Sequence, residues 1–340
     1  MTLAIAIAGA DLVGEASNHL LSLVILDSHT KKHAPIIMAN LQASNLFSVE
    51  GRIAVITGGG SGLGRIMARA LATNGAVKIF VLGRRENALQ ETAALAPAGV
   101  VIPVQCDVTS KDSLEAAYQA IAAQTTHVDI LFANGGIMGP MMRPPQKADG
   151  SLPSLSELRE ELFNIPMEVF TDVLNVNVTG SYYTVLAFLP LLEAANKRRA
   201  APQPGVLTAP TAQVIITSSI AGFIRKVPFS YAYNASKSAT THLVKMLSTG
   251  LADYDIRVNG IAPGLYQSDM ANHIFEDRNI EGSGISEGSF PRDMIPIRRS
   301  GSEEDFAGLI IWMASTSGGY LNGSVMLTDG GRVSIVPNTY

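Results

Sequence analysis

Apolar stretches of strand length alternate with helical stretches along most of this chain, and this alternation limits the possible folds more than any other feature. The apolar stretches read IAVIT, KIFVLG, VVIPVQCDV, DILFANGGI, QVIITSS, IRVNGIAPG and SVMLTDGG. Strands that are joined by helices run parallel, and the helices cover both faces of the sheet. The sequence therefore predicts an α/β fold, a single doubly wound domain with a mainly parallel sheet.

The alternation defines one domain over residues 46–340, and no second rhythm suggests another. Residues 1–45 have no counterpart in the pattern and form an N-terminal extension of unknown role. An appended helix, a processing segment or a wrongly assigned start would each explain the extension, and Met38 is an alternative start.

Three stretches interrupt the alternation. Residues near 139–155 and 197–210 are rich in proline, which predicts surface insertions. Residues near 265–296 place apolar side chains among glycines, which predicts a lid over an apolar substrate.

The composition favours small-molecule chemistry over binding to nucleic acid or to membranes. Charged residues make up 16% of the chain and the formal charge is −4, so no strongly basic surface is expected. The longest uncharged run, Val173 to Leu192, has the length of a membrane span, but its asparagines and Pro190 favour a buried helix. The single cysteine, Cys106, and an N-terminus without a basic leader predict a cytoplasmic location.

A glycine cluster, TGGGSGLG from Thr57 to Gly64, stands where the first strand meets the first helix of the domain. At such a junction, backbone amides and the helix N-terminus bind a pyrophosphate, and glycines allow it to approach closely. A tight turn is the alternative for an isolated cluster. After the first strand of an α/β domain, the cluster predicts dinucleotide binding and a Rossmann fold.

The stretch YAYNASK, Tyr231 to Lys237, contains two tyrosines and one lysine. In a helix Tyr233 and Lys237 share one face, whereas Tyr231 lies on another. An ammonium beside a phenol favours the phenolate, so Lys237 is expected to lower the pKa of Tyr233 and make it a proton-transfer group. The alternative is an ordinary amphipathic helix surface. Tyr231 is expected to line the pocket without a catalytic role.

Together these motifs resemble the short-chain dehydrogenase/reductase family. The resemblance rests on the spacing of Gly58, Gly62 and Gly64 and on the YxxxK pattern, and it extends from about Leu46 to Arg332. The chain is most similar to fungal members that resemble 3-oxoacyl carrier-protein reductases. The resemblance implies hydride transfer between a nicotinamide and a carbonyl compound or secondary alcohol.

The resemblance also implies how the cofactor is bound. The second strand ends in Gly83 where NAD-preferring members carry an acidic residue, and Arg84 and Arg85 follow. Guanidinium groups suit a 2′-phosphate and Ser61 adds a hydroxyl, so we predict NADP(H); the alternative is that Arg85 merely faces solvent. Further cofactor contacts are implied for Gly58, Gly62, Leu63, Gly64, Asp107, Val108, Asn134, Gly136, Tyr233, Lys237, Pro263, Gly264 and Ser268.

Four catalytic residues are implied by the same resemblance. Tyr233 is the acid or base, Lys237 also holds the nicotinamide ribose, and Asn177 completes a proton relay through water. The family serine usually stands 13 residues before the tyrosine, but Ser219 stands 14 and Ser218 stands 15 before it. We assign Ser219 and expect a one-residue insertion between the two motifs. For Asn177 the alternative is a satisfied buried amide.

The sequence therefore predicts an NADP(H)-dependent oxidoreductase that reduces a medium or large apolar ketone of secondary or lipid metabolism. An NAD(H)-dependent alcohol dehydrogenase and a non-catalytic dinucleotide sensor remain alternatives. No metal site is expected. The family habit implies a homodimer or homotetramer, paired through the helices that begin near Asn175 and Tyr233.

Overall fold

The computed structural model describes residues 41–144, 147, 149–227, 229–276, 280 and 282–340, and the backbone of two short strands, Ser22–Leu23 and Ile36–Ile37. These two strands pair with each other in antiparallel fashion, apart from the main sheet. Most of the N-terminal extension, including Met38, lies outside the described residues. Its role and the alternative start therefore stay predictions.

Seven parallel strands form the main sheet. They are β1 (Ile53–Thr57), β2 (Lys78–Gly83), β3 (Val101–Gln105), β4 (Ile130–Ala133), β5 (Gln213–Thr217), β6 (Arg257–Pro263) and β7 (Val325–Thr328). Their order across the sheet is β3-β2-β1-β4-β5-β6-β7. All residues of β1 and β5 are buried, as expected for strands covered on both faces. The predicted doubly wound α/β fold is confirmed, and the sheet is parallel throughout.

Helices cover both faces of the sheet. Those described are α1 (Ala43–Leu46), α2 (Gly62–Thr73), α3 (Glu86–Ala94), α4 (Lys111–Ala122), α5 (Leu155–Phe163), α6 (Met167–Leu174), α7 (Ser181–Lys197), α8 (Tyr231–Gly250), α9 (Asn272–Glu276) and α10 (Glu303–Ala314). On one face α4, α7 and α8 bury Phe188 and Val244 against the sheet. On the other face α2, α3 and α10 bury Met67 and Phe306. The carboxyl ends of the strands stay uncovered by these two layers.

The uncharged run from Val173 to Leu192 is helical but not one regular helix. It starts in α6, passes through a π-helical turn at Asn175–Gly180, and continues in α7, which contains Pro190. Such turns insert an extra residue into a helix and are frequent at functional sites. Within the described ranges, no helix is long and apolar enough to span a bilayer.

Helix α5 was not expected from the sequence pattern. The Ser154 hydroxyl accepts from the backbone N–H of Glu157, and the Glu157 carboxylate accepts from the N–H of Ser154. This capping box is readable in the sequence as SLSE and marks a helix start. The described residues of 139–154 and 198–212 are irregular.

The segment predicted as a lid, 265–296, follows β6 and carries α9. Phe275, Phe290 and Ile295 form a small core within it. Gly284 has a φ of +64°, and a Cβ there would lie 2.9 Å from the Phe290 ring, so this position requires glycine. The segment therefore has apolar packing of its own.

Candidate active site

A cleft of about 530 Å³ opens at the carboxyl ends of the parallel strands. Its walls come from the segments that follow β1, β2, β3, β4, β5 and β6. In doubly wound sheets this edge, where the chain crosses from one half to the other, is the usual ligand site. Most of the predicted cofactor-binding and catalytic residues therefore line the same cleft.

The glycine cluster after β1 shapes the floor of the cleft. Gly58 and Gly62 have φ values of +66° and +49°, which favour glycine. A Cβ on Gly64 would lie 2.2 Å from the Gly58 carbonyl oxygen, so a side chain does not fit there. Because α2 begins at Gly62, its N-terminus points at this bare backbone. The residues present thus fit a pyrophosphate.

A hydrogen-bond network joins the ends of β1, β4 and β5 beneath the cleft. The Thr57 hydroxyl accepts from the backbone N–H groups of Asn134 and Gly135, both at 2.9 Å. The Asn134 side-chain amide donates to the Thr57 carbonyl at 3.1 Å and accepts from the Thr217 hydroxyl at 3.0 Å. The Asn134 side chain is therefore hydrogen-bonded to both neighbouring strands within the motif ANGG, Ala133 to Gly136. This supporting role of Thr57 and Thr217 was not predicted; each is the last residue of its strand.

The predicted 2′-phosphate residues lie at one end of the cleft. Arg84 and Arg85 are exposed and line it. The Arg85 guanidinium donates to the Ser61 hydroxyl at 3.3 Å, and it lies 3.7 Å from the Asp269 carboxylate. Ser61 and Arg85 thus meet, as the prediction of a shared phosphate site requires.

The predicted adenine residues follow β3. The Asp107 carboxylate accepts from the backbone N–H and the hydroxyl of Thr109, at 2.9 and 2.7 Å. These bonds lower the pKa of Asp107, because they favour the charged carboxylate. Val108 packs on Gly180, where a Cβ would lie 2.9 Å from the valine methyl group. Both Asp107 and Val108 line the cleft.

Lys237 is buried beside Tyr233 on α8. Only 4% of its surface is exposed, and its ammonium donates to the Thr217 carbonyl at 2.8 Å. The ammonium lies 5.7 Å from the centroid of the Tyr233 ring. Burial disfavours the charged form and lowers the pKa of Lys237 to about 8.

Tyr233 corrects one prediction. Burial raises the pKa of its phenol above the ordinary value, and a hydrogen bond with the Ser219 hydroxyl acts in the lowering direction. The expected net lowering of the Tyr233 pKa was wrong, because the loss of solvation outweighs the favourable contacts. The tyrosine is therefore held as a protonated phenol near neutral pH.

The two candidate serines have different surroundings. Ser218 is buried, and its hydroxyl bonds the Lys237 carbonyl at 2.9 Å and the Thr241 hydroxyl at 2.7 Å. The Ser219 oxygen accepts from the Ala221 N–H at 3.1 Å, so the Ser219 proton is available to donate. Ser219, not Ser218, is the serine whose hydroxyl influences the pKa of Tyr233, in the lowering direction.

Tyr231 lies on another face of α8, as predicted from helix geometry. Its exposed fraction is 45%, and it does not belong to the cleft wall in the described part of the chain. The expectation that Tyr231 lines the pocket was wrong. Tyr231 lies six residues before Lys237, so the helix directs its ring away from the cleft. Phe229, two residues earlier, lines the cleft instead.

Asn177 lies in the π-helical turn and is 1% exposed. Its side chain accepts from the Ile137 N–H at 2.8 Å and donates to the Ile137 carbonyl at 2.8 Å and the Ser236 hydroxyl at 2.9 Å. A Cβ on Gly136 would lie 3.0 Å from the Asn177 side-chain oxygen and 3.5 Å from the Lys237 ammonium. Asn177 is thus a satisfied buried amide that fixes the ANGG loop beside the lysine.

The last predicted cofactor residues follow β6. Gly264 packs so tightly that a Cβ would lie 2.7 Å from the Asp329 Cα. Ser268 faces the glycine cluster, because a Cβ on Gly62 would lie 3.2 Å from the Ser268 Cβ. Together with Pro263 and Leu63 they line the cleft. The start of the 265–296 segment thus passes over the N-terminus of α2.

Comparison with known proteins identifies the family to which this site belongs. The family model described as short chain dehydrogenase matches residues 52–279. The chain belongs to the short-chain dehydrogenase family. Members act on small molecules with a nicotinamide dinucleotide and are commonly oligomeric.

Two relatives and one solved structure show how far the similarity extends. Short-chain dehydrogenase/reductase PhomF of Diaporthe leptostromiformis is 40% identical over 89% of this chain and 99% of that protein. The rhamnolipids biosynthesis 3-oxoacyl-[acyl-carrier-protein] reductase of Pseudomonas aeruginosa is 31% identical over 84% of this chain and 97% of its own. The RhlG/NADP active-site complex of Pseudomonas aeruginosa has a TM-score of 0.66 at 31% identity, covering 85% of this chain and 98% of that one. The resemblance predicted from the sequence is confirmed.

The remaining cleft of this short-chain dehydrogenase is mostly apolar. Side chains from the segments after β5 and β6 line it: Ile220, Ile224, Phe229, Leu265, Met270, Ile274, Met294 and Ile295. Of these, Ile274 was expected from the sequence as an apolar residue of the predicted lid. Arg332 also lines the cleft and donates to the Met294 carbonyl at 2.7 Å. Among the described residues, no group of three acidic, histidine or cysteine side chains could hold a metal ion.

Proposed function

We propose that this short-chain dehydrogenase is an NADP(H)-dependent reductase of medium or large apolar ketones. One observation carries the proposal. Ser219, Tyr233 and Lys237 line one cleft above the glycine cluster, the Ser219 hydroxyl lowers the pKa of the Tyr233 phenol against the effect of burial, and the Lys237 ammonium lies 5.7 Å from the centroid of the Tyr233 ring. These are the three groups that a carbonyl reduction needs beside a hydride donor.

The chain offers binding groups along a whole dinucleotide. The bare backbone from Gly58 to Gly64 would hold the pyrophosphate. Val108 would cover the adenine ring and Asp107 would accept from its amine, as the family resemblance implies. Arg84 and Arg85 support NADP(H) over NAD(H), because Gly83 leaves no carboxylate at the end of β2 to repel a 2′-phosphate. The NADP complex of a relative is consistent with this choice.

The chain's own residues would handle the proton and the developing charge. When bound, NADPH supplies a hydride to the carbonyl carbon. Tyr233 donates a proton to the carbonyl oxygen, and its raised pKa keeps the phenol protonated at neutral pH. Ser219 donates a hydrogen bond where negative charge develops on that oxygen. The Lys237 ammonium, held by the Thr217 carbonyl, stabilises the phenolate that remains.

The apolar wall supports an apolar substrate. Ile224 and Phe229 from the segment after β5 and Ile274 from the segment after β6 line the same cleft. Burying apolar surface of a ligand there is favourable at about 25 cal/mol per Å². The name of the Pseudomonas relative, a 3-oxoacyl carrier-protein reductase, describes a ketone on an acyl chain, which fits such a wall. We therefore place ketones of secondary or lipid metabolism first.

A pair of tyrosine variants tests the proposal. Tyr233→Phe should bind NADPH as tightly as the wild type, measured by cofactor fluorescence, and lose turnover of an apolar ketone by about 100-fold or more. Tyr231→Phe removes the same hydroxyl from the same helix outside the cleft, so its turnover should not change. Equal turnover in both variants, or tighter binding of NADH than NADPH by the wild type, would overturn the proposal. Binding without turnover of any ketone would favour a dinucleotide sensor.

A further inference from the structure

Arg85 is shared between the predicted phosphate site and the segment that follows β6. Its guanidinium donates to Ser61 and lies 3.7 Å from the Asp269 carboxylate. Both charged side chains are 70% exposed, so solvent screens their attraction and either group can move. Asp269 therefore stands where it can compete with an anionic ligand for Arg85.

The backbone geometry holds Asp269 at this position. Ala271 and Asn272 both donate their N–H groups to the Ser268 carbonyl, at 2.8 and 3.0 Å, which forms a turn leading into α9. Ser268 in turn faces Gly62 at the start of α2. The turn therefore places Asp269 next to Ser268 at the start of α2, on the side of the depression from which its carboxylate reaches Arg85.

A second, shallower depression adjoins the main cleft at this point. The residues that line it include Gly60, Ser61, Arg65, Arg85, Asn87 and Asp269. The Arg65 guanidinium already has protein partners, because it donates to the Gly60 carbonyl at 2.7 Å and to the Glu91 carboxylate at 2.9 Å. Arg85 is thus the arginine of this depression whose carboxylate partner comes from across the cleft.

We propose that Asp269 is a specificity residue that competes with the cofactor 2′-phosphate for Arg85 and so limits the preference for NADP(H). The inference rests on the proposed binding of NADP(H) in this cleft. A 2′-phosphate would take over the guanidinium and face a like charge on Asp269, which weakens binding. NADH lacks that phosphate and leaves the Arg85–Asp269 pair undisturbed.

The test is the binding of NADPH and NADH to Asp269→Asn, measured by cofactor fluorescence at low salt. We expect NADPH to bind about two- to fivefold more tightly, the range that one exposed ion pair accounts for, and NADH to bind as before. In an Arg85→Gln background the same substitution should give less than half of that gain. Asp293→Asn is the matched control, since Asp293 is exposed on the same segment and outside the cleft wall.

Three results would overturn the inference: unchanged NADPH affinity, an equal gain for both cofactors, or weaker NADPH binding. The last would mean that Asp269 positions Arg85 instead of competing for it. Failure here is separable from failure of the proposed function. Wild-type turnover with NADPH and its loss in Tyr233→Phe test the reductase without reference to Asp269.

Discussion

At the scale of single residues, burial decides what the catalytic groups can do. Sequence spacing placed Tyr233 and Lys237 on one helix face, and the structure has them there. The spacing did not reveal that both side chains are buried away from solvent, because it carries no information on what packs against the helix. Desolvation raises the pKa of the phenol and lowers that of the ammonium. The protonated phenol suits a proton donor, which is the role that reduction requires.

The pH dependence of ketone reduction should therefore identify Lys237. Its ammonium is the working form, and its pKa is about 8, so kcat/KM should fall as the pH rises through about 8. A limb due to Tyr233 would lie above the ordinary phenol pKa of about 10, because burial raises it. A rate profile from pH 6 to 10 with NADPH checks this. The limb near 8 should vanish from the residual activity of Lys237→Met, and its persistence there would assign it to another group.

The two adjacent serines make a second prediction at this scale. Ser219→Ala should lower kcat by about 100-fold, the usual effect of removing one donor to a developing oxyanion, and lower the melting temperature less than Ser218→Ala does, because it removes only the bond to the Ala221 N–H. Ser218→Ala removes a buried hydroxyl with two partners and should destabilise the fold by about 1–3 kcal/mol. Thermal unfolding and steady-state kinetics of both variants distinguish the roles. A larger loss of kcat in Ser218→Ala would reverse the assignment.

At the scale of elements, strands were predicted better than the helices beside the site. Strands β1 and β2 have the predicted bounds, because a continuous apolar run flanked by turn residues defines where a buried strand begins and ends. The π-helical turn at Asn175–Gly180 was missed, since periodicity does not reveal one extra residue in a helical turn. Its consequence is local: it lets the Asn177 amide bond Ile137 instead of its own helix.

The C-terminal segment is an element that no sequence motif marked. Arg225 donates its N–H to the Pro337 carbonyl at 2.8 Å, and Thr339 donates to the Phe223 carbonyl at 2.9 Å. The Tyr340 ring packs edge-on against Phe223 at 5.5 Å. Residues 336–340 therefore support the stretch that follows Ser219 and lines the cleft.

Removing residues 336–340 should loosen that wall. We expect a higher KM for the ketone and a lower kcat, with NADPH affinity within about twofold of the wild type, because the glycine cluster lies elsewhere. The single variant Tyr340→Ala removes only the ring contact and should shift the same constants in the same direction by a smaller factor. Parallel kinetics and cofactor titration measure this. Loss of NADPH affinity together with KM would show that the segment supports the whole fold.

At the scale of the molecule, the sequence predicted how the chain is arranged and much less about what surrounds the substrate. The doubly wound parallel sheet follows from the alternation of strands and helices, because every strand–helix–strand unit obeys the same rule. The apolar wall of the cleft includes Ile224 and Phe229, which lie in an irregular stretch without hydrophobic periodicity, and Ile274, which lies in the five-residue helix α9. Ser219 was assigned on its spacing to Tyr233 with an assumed one-residue insertion. Both serines line the cleft, and the partners of the buried Ser218 hydroxyl, which spacing does not reveal, distinguish the two.

Exposed apolar side chains on helices favour an assembly of several copies of this chain. Exposed apolar side chains lie on α6, α7 and α8, among them Met167 at 83%, Tyr182 at 37% and Met246 at 54% exposed. Families of this fold pair such helices, so we expect a homodimer or homotetramer by light scattering at micromolar concentration. Met246→Glu or Tyr182→Glu should reduce the mass towards that of the monomer, since a carboxylate in an apolar interface lacks solvation. Leu207→Glu, an equally drastic change at an 82% exposed residue of the proline-rich loop, should leave the mass unchanged. A monomeric wild type, or an equal effect of all three variants, would contradict pairing through these helices.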